Sequence, residues 1–213
     1  MHTVYADFTC PLAYLASQRL DALAARVGDD GPPVEWRAVG HRSTLPRTGL
    51  QLGPAGLDGR QAELDALRPH LLPEETLPRR APRLLPHPAA PTAAYAEAIT
   101  TGVGAAVRRA LLQAYWEEGQ DIGDPEVLRR LLPATLATSR TKSDPIRDFG
   151  CAVSSQRSPV TGEAYRLLRG WQQDWHALGG PVSLTLVCDD RTWVGEEALR
   201  ALPDLPALAA SVA

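Results

Sequence analysis

His2-Thr-Val-Tyr-Ala-Asp-Phe-Thr-Cys-Pro-Leu-Ala-Tyr-Leu-Ala-Ser-Gln-Arg-Leu-Asp-Ala-Leu-Ala-Ala-Arg-Val27 decides the fold. Its first part, His2 to Phe8, is a short extended run with Val4, Ala6 and Phe8 on one side. Leu12, Ala16, Leu20, Leu23 and Val27 then recur at helical spacing. Pro11 suits the first helical position, where an amide has no intrahelical acceptor to lose. Cys10 therefore stands where the strand hands over to the helix. Unpaired amides and the helix field there favour a sulfur anion. Such placement is expected to lower the thiol pKa from about 8.5 into roughly 3.5–7.5.

The chain continues as a crossover. Asp29 to Pro33 makes a turn, and Val34 to Val39 reads as a second strand parallel to the first. From 41 to 150 no strand is expected. His41 to Gly59 reads as loop and Arg60 to Leu72 as a helix. Pro73 to Pro91, with its many prolines, reads as extended chain. Thr92 to Glu118 has helical spacing that Gly102 and Gly104 weaken, and Asp124-Pro125 is a cap followed by proline. The end returns to mixed structure: a helix over Gly162–Leu178, a strand over Val182–Cys188, a turn at Asp189-Asp190, the segment Arg191–Val194, and a helix from Glu196 to Leu202. Leu205–Val212 is expected to extend that last helical region.

With 213 residues, a net charge of −3 and 44% hydrophobic residues, the chain can bury a substantial core. Nothing in this balance suggests a nucleic acid or an anionic membrane as partner. The pairs Arg79-Arg80, Arg108-Arg109 and Arg129-Arg130 read as solvated helix surface. Neither a signal peptide nor a membrane-spanning run is expected. Cys10, Cys151 and Cys188 are far apart, odd in number and without metal spacing, so a reducing cytoplasm is the expected setting. No metal and no nucleotide site is expected.

Three segments carry a resemblance to a known family. Asp7-Phe8-Thr9-Cys10-Pro11-Leu12-Ala13-Tyr14-Leu15 is the first, and Ala114-Tyr115-Trp116-Glu117-Glu118-Gly119-Gln120-Asp121-Ile122-Gly123-Asp124 is the second. Trp193-Val194-Gly195-Glu196-Glu197-Ala198-Leu199 closes the set. In this order they resemble the DsbA-like branch of the thioredoxin superfamily. Within it, the chain is most similar to the 2-hydroxychromene-2-carboxylate isomerase and polyketide-associated oxidoreductase group. The resemblance implies an α/β fold, a thioredoxin-like sheet formed by residues 1–45 and 150–213, with a large helical insertion over 46–149. Two departures stand out. Ala13 occupies the position of the second cysteine of Cys-Pro-x-Cys, so no dithiol–disulfide cycle can run through this motif. The proline that the family carries in cis is expected near Leu184, whereas the sequence offers Pro181.

Three roles are open to Cys10: a nucleophile, a hydrogen-bonding partner for the thiolate of a bound thiol, or an inert residue at a helix cap. The resemblance implies glutathione, or mycothiol in its place, as the thiol cofactor, held near Pro11, Leu12, Ala13, Ser183 and Leu184. A small organic substrate is expected near Tyr14, His41, Arg42, His87 and Trp116. Tyr14 lies one helical turn beyond Cys10, and His41 and Arg42 follow a strand's carboxyl end. Trp116 could line an apolar pocket, and His87 falls where the family bears a ligand-facing loop. Asp7 could cap local amides or pair with an arginine. The expected activity is a thiol-dependent isomerase or monothiol oxidoreductase. The alternative is a binding or partner protein of a biosynthetic pathway that has lost its redox chemistry. Homodimers are common in the resembled group.

Overall fold

The first strand, β1 (His2–Ala6), is buried along its whole length, because both faces of the sheet it centres are covered. Val4, Ala6 and Phe8 join the main core, while Tyr5 on the other face packs with Val39 and Trp175. The computed structural model describes residues 2–28, 33–42, 44–138, 152–180 and 183–205. β1 pairs in parallel with β2 (Val34–Ala38), Val4 opposite Trp36. On its other side it pairs antiparallel with β5 (Thr185–Cys188), Val4 opposite Leu186. β6 (Arg191–Val194) completes the order β2-β1-β5-β6.

Helix α1 (Pro11–Val27) buries Leu15, Ala16, Leu20 and Leu23 and ends at Gly28. Gly28 has a φ of +58°, a conformation cheap only for glycine, and its amide reaches back to the Ala24 carbonyl. The central region departs from the sequence reading in three places. A two-stranded ladder joins β3 (Leu50–Gln51) to β4 (Leu84–Leu85), where no strand was expected. Two-residue strands are too short to leave a periodic pattern. Helix α2 spans Pro54–Ala66, six residues earlier than the periodicity indicates, with Pro54 opening it after Gly53. The long helix expected over 92–118 is two: α3 (Ala89–Thr100) and α4 (Gly104–Trp116), broken where Gly102 takes a φ of +77°.

Short helices α5 (Pro125–Leu131) and α6 (Pro133–Leu136) follow, α5 capped by the Asp124 carboxylate accepting from the Glu126 amide at 2.9 Å. Helix α7 (Gly162–Ala177) covers β2 and α3, and α8 (Glu196–Ala201) follows β6. The expected Asp29–Pro33 turn falls mostly outside the described residues. So do Cys151, Pro181 and the segment beyond Leu205.

Two buried charges stand out, and the first corrects the sequence reading. Arg108 is not solvated surface: it is 7% exposed. Its guanidinium lies over the Trp36 ring and donates to Ser17 Oγ and the Asp21 carboxylate. Glu97 is fully buried in the alanine-rich helix α3. Its carboxylate accepts the amides of Val160 and Thr161, both at 2.6 Å, and the Thr161 hydroxyl at 2.8 Å. Thr161 in turn caps α7 by accepting from the Ala164 amide. One carboxylate thus fixes where α7 starts against α3. Its removal leaves three part-buried donors without this acceptor, at a cost of several hydrogen bonds to a charged group. Glu97→Ala is therefore expected to lower unfolding stability by about 3 kcal/mol in urea titrations; a loss below about 1 kcal/mol, the worth of one ordinary hydrogen bond, would contradict this role.

Candidate active site

Cys10 is the residue immediately before α1, with Pro11 at the first helical position. Its amide donates to the Asp7 carbonyl at 2.9 Å, which bends the chain from strand to helix. Asp7, 2% exposed, organises the surroundings. Oδ1 accepts from the amide and the hydroxyl of Thr9, both at 2.8 Å, and Oδ2 accepts from the His41 amide at 2.9 Å. The Asp7 amide donates to Ser183 Oγ at 2.8 Å. Three distant stretches, the Cys10 loop, the end of β2 and the start of β5, are thereby tied together at one point.

A cavity of about 750 Å³ opens beside that point. Its lining includes Cys10, Pro11, Leu12, His41, Arg42 and Ser183. Arg60 and Glu63 of α2 and the turn from Val194 to Glu197 also border it. The Cys10 thiol donates to the Ser183 carbonyl at 3.3 Å. The Ser183–Leu184 peptide is cis, and Leu184 stands where the family proline was expected.

The expected lowering of the Cys10 pKa is overturned. Burial pushes the thiol up from its ordinary value. The Ala13 amide pulls it down, the Asp7 carboxylate adds to the rise, and the Leu12 amide and the Ser183 side chain pull it down again. Part of Cys10 reaches the cavity, yet the atoms crowding its sulfur make desolvation the larger effect. Helix amides alone do not make a thiolate. At rest this sulfur carries its proton and has a carbonyl to give it to. The arrangement can present an S–H to an incoming sulfur anion, with the helix amides supporting negative charge nearby.

A DSBA-like thioredoxin domain is matched over residues 3–136. The chain belongs to the DSBA-like thioredoxin family. Among solved structures it is similar to a probable DsbA oxidoreductase from Streptomyces coelicolor, at 13% identity and a TM-score of 0.70, over 99% of this chain and 89% of that one. It is also similar to a 2-hydroxychromene-2-carboxylate isomerase, at 19% identity and a TM-score of 0.63, over 99% and 95% of the two chains. The cytosolic disulfide reductase DsbM from Pseudomonas aeruginosa matches at 22% identity and a TM-score of 0.59, over 99% and 97%. No curated protein sequence is significantly similar to it.

Within this DSBA-like frame the expected site residues separate. Cys10, Pro11, Leu12, Ser183, His41 and Arg42 share the cavity. Ala13 and Leu184 are fully buried beneath it. Tyr14 and Trp116 border a different cavity, beside Thr76–Arg80. There the Tyr14 hydroxyl donates to Glu117 Oε1 at 2.6 Å, and burial together with that carboxylate raises its pKa to about 12. Trp116 braces the site from behind, its indole N–H donating to the Phe8 carbonyl at 3.0 Å. His87 lies apart, in a third cavity with Tyr165 and His176, and accepts from the Ala89 amide.

Arg60 is a charged cavity residue that the sequence reading missed, as it missed Glu63 beside it. Arg60 is 5% exposed, donates to the Thr9 carbonyl and lies over the Trp116 ring at 5.0 Å. Its neighbours in sequence, Gly59 and Gln61, give no sign of burial. Cys188 sits opposite His2, at the far end of β1 from Cys10, and cannot resolve a disulfide formed there. Among the described residues no cluster of His, Cys, Asp or Glu could hold a metal, and no helix is long and apolar enough to cross a membrane.

Alkylation of Cys10 by iodoacetamide, followed by peptide mapping across pH, checks the thiol's state. Half-maximal rate is expected above about pH 8.5, the ordinary thiol value. A rate already at its plateau at neutral pH would show a thiolate at rest.

Proposed function

We propose that the protein is a thiol-dependent isomerase acting on a small conjugated organic molecule, with Cys10 holding the sulfur of a bound low-molecular-weight thiol. The observation that carries this reading is the Cys10 thiol, donating to the Ser183 carbonyl beside an open cavity, with Ala13 in place of a resolving thiol. DsbM, with the same fold, has been solved with GSH (21% identity, TM-score 0.53), which supports glutathione as the guest; mycothiol is the other thiol considered. The cavity volume lies within the range of small-molecule sites.

When bound, the thiol supplies a sulfur anion that adds reversibly to a conjugated carbonyl compound and leaves after bond rotation, with no net oxidation. Each residue has a simple task. Cys10 turns its S–H from the Ser183 carbonyl towards the guest sulfur, holding it as an anion. The amides of Leu12 and Ala13 aim the helix field at the same place. Arg42 and His41 follow β2 at the cavity wall, where they donate to an oxygen that gains negative charge. Asp7 keeps the loops that carry these groups in register. Leu12 and Val194 supply apolar wall that limits water. A cytoplasmic setting agrees with free cysteines and with the thiol such a site requires.

Cys10→Ser and Cys10→Ala test the role. A serine hydroxyl still donates to a sulfur anion, whereas alanine cannot. Glutathione binding by calorimetry and the ultraviolet thiolate absorbance of the bound thiol are expected to persist in Cys10→Ser, within about tenfold, one charge-assisted hydrogen bond's worth. Both are expected to fall in Cys10→Ala. Loss in both variants, with a glutathione mixed disulfide on the wild-type protein, would instead identify Cys10 as a nucleophile in a monothiol redox reaction. No binding of either thiol to the wild type would remove the proposal.

A further inference from the structure

Arg60 poses a charge problem that Cys10 chemistry alone does not explain. A guanidinium is always charged and carries five N–H groups. At 5% exposure it needs an anion beside it. Nη2 donates to the Thr9 carbonyl and, at 3.4 Å, to the Tyr115 hydroxyl. Nη1 donates to Glu63 Oε2 at 3.1 Å, and Nε has no partner. Glu63 is the one carboxylate paired with Arg60 among the described residues, and its side chain is 51% exposed. It lies one turn further along α2, and pairs of this spacing are weak. A buried cation is thus matched by a half-solvated carboxylate free to swing into water. Arg60 and Glu63 both line the cavity that holds Cys10.

The cavity's other arginine, Arg42, is assigned above to the oxygen that gains charge, and none of the cavity's other acids is paired with Arg60 among the described residues. Both oxygens of Asp7 accept from the Thr9 and His41 donors. Glu196 faces His70 at 3.5 Å. With Glu197, in the first turn of α8, it makes that part of the cavity wall unfavourable for an acid. We propose that Arg60 is the seat for a carboxylate carried by the molecule brought to Cys10, and that Glu63 is the chain's own carboxylate in that seat, displaced when the guest arrives. The exchange is carboxylate for carboxylate, so the buried charge stays paired throughout. The identity of that molecule as a thiol or its reaction partner rests on the function proposed above; the seat itself does not.

The test compares two alkylating reagents that differ in one charge. Iodoacetate carries a carboxylate and iodoacetamide does not, and peptide mapping reads their rates at Cys10 in the intact protein. Glu63→Gln is expected to raise the iodoacetate-to-iodoacetamide ratio several-fold, because Arg60 then lacks its internal partner. Arg60→Gln is expected to lower the ratio about tenfold. Because Arg60 also braces Thr9 and Tyr115, Arg60→Gln can misfold; Glu63→Gln, at a half-exposed position, then decides the question by itself. A ratio unchanged in Glu63→Gln overturns the proposal.

Protection of Cys10 from iodoacetamide then separates the two sources of the acid. S-Methylglutathione protecting better than its diethyl ester places the carboxylate on the thiol; benzoate protecting better than benzamide places it on the substrate. If neither acid exceeds its neutral counterpart, the seat does not exist. Failure of glutathione to bind would sink the isomerase reading and leave the charge ratio standing.

Discussion

Asp7 lies at the end of β1 with both oxygens claimed by donors from two parts of the chain, and its own amide is claimed by a third. A buried carboxylate is costly unless its lone pairs are filled, and here the filling groups are the loops that make the site. The Thr9 donors shape the approach to α1. The His41 amide draws the end of β2 alongside, bringing Arg42 with it. Ser183 Oγ locks the start of β5 so that its carbonyl meets the Cys10 thiol. The electrostatic need of one residue thereby sets the relative positions of groups up to 176 residues apart in sequence.

The same carboxylate has a chemical consequence. Its charge adds to the desolvation that keeps Cys10 protonated, against the pull of the Ala13 and Leu12 amides. A helix start is often read as a device for making thiolates, and in an open site it is one. Here burial outweighs it, and the sulfur is better suited to donate than to attack. With Ala13 where a second thiol would stand, a proton donor at the helix start is the property that remains to be used.

Much of the fold was legible from residue patterns. The alternation in β1, the helical spacing after Pro11 and the Asp124-Pro125 cap each follow from local sterics and burial, and the parallel pairing of β1 with β2 follows from the crossover between them. The break at Gly102 was marked by the glycine, though its full effect, two separate helices, depends on tertiary packing. The β3–β4 ladder left no trace because two residues carry no period. Of the site, Cys10, His41 and Arg42 were readable as strand-end and helix-start positions. Tyr14 shares a helix with Cys10, but its hydroxyl is turned to Glu117 and another cavity, a choice made by α4. Arg60 could not be read, since an arginine in a polar helix looks solvated until Thr9, Tyr115 and Trp116 are brought around it. Glu97 left a usable sign: a lone acid in the apolar run Ala89–Thr100 must find buried donors.

The central claim is that one protonated sulfur at a helix start faces a cavity that admits a small thiol. A crystal structure of the protein grown with glutathione tests it most directly. The account expects the glutathione sulfur within hydrogen-bonding distance of Cys10 Sγ, with no covalent bond between them. A cavity closed over Cys10, or glutathione bound elsewhere with no contact to that sulfur, would contradict it.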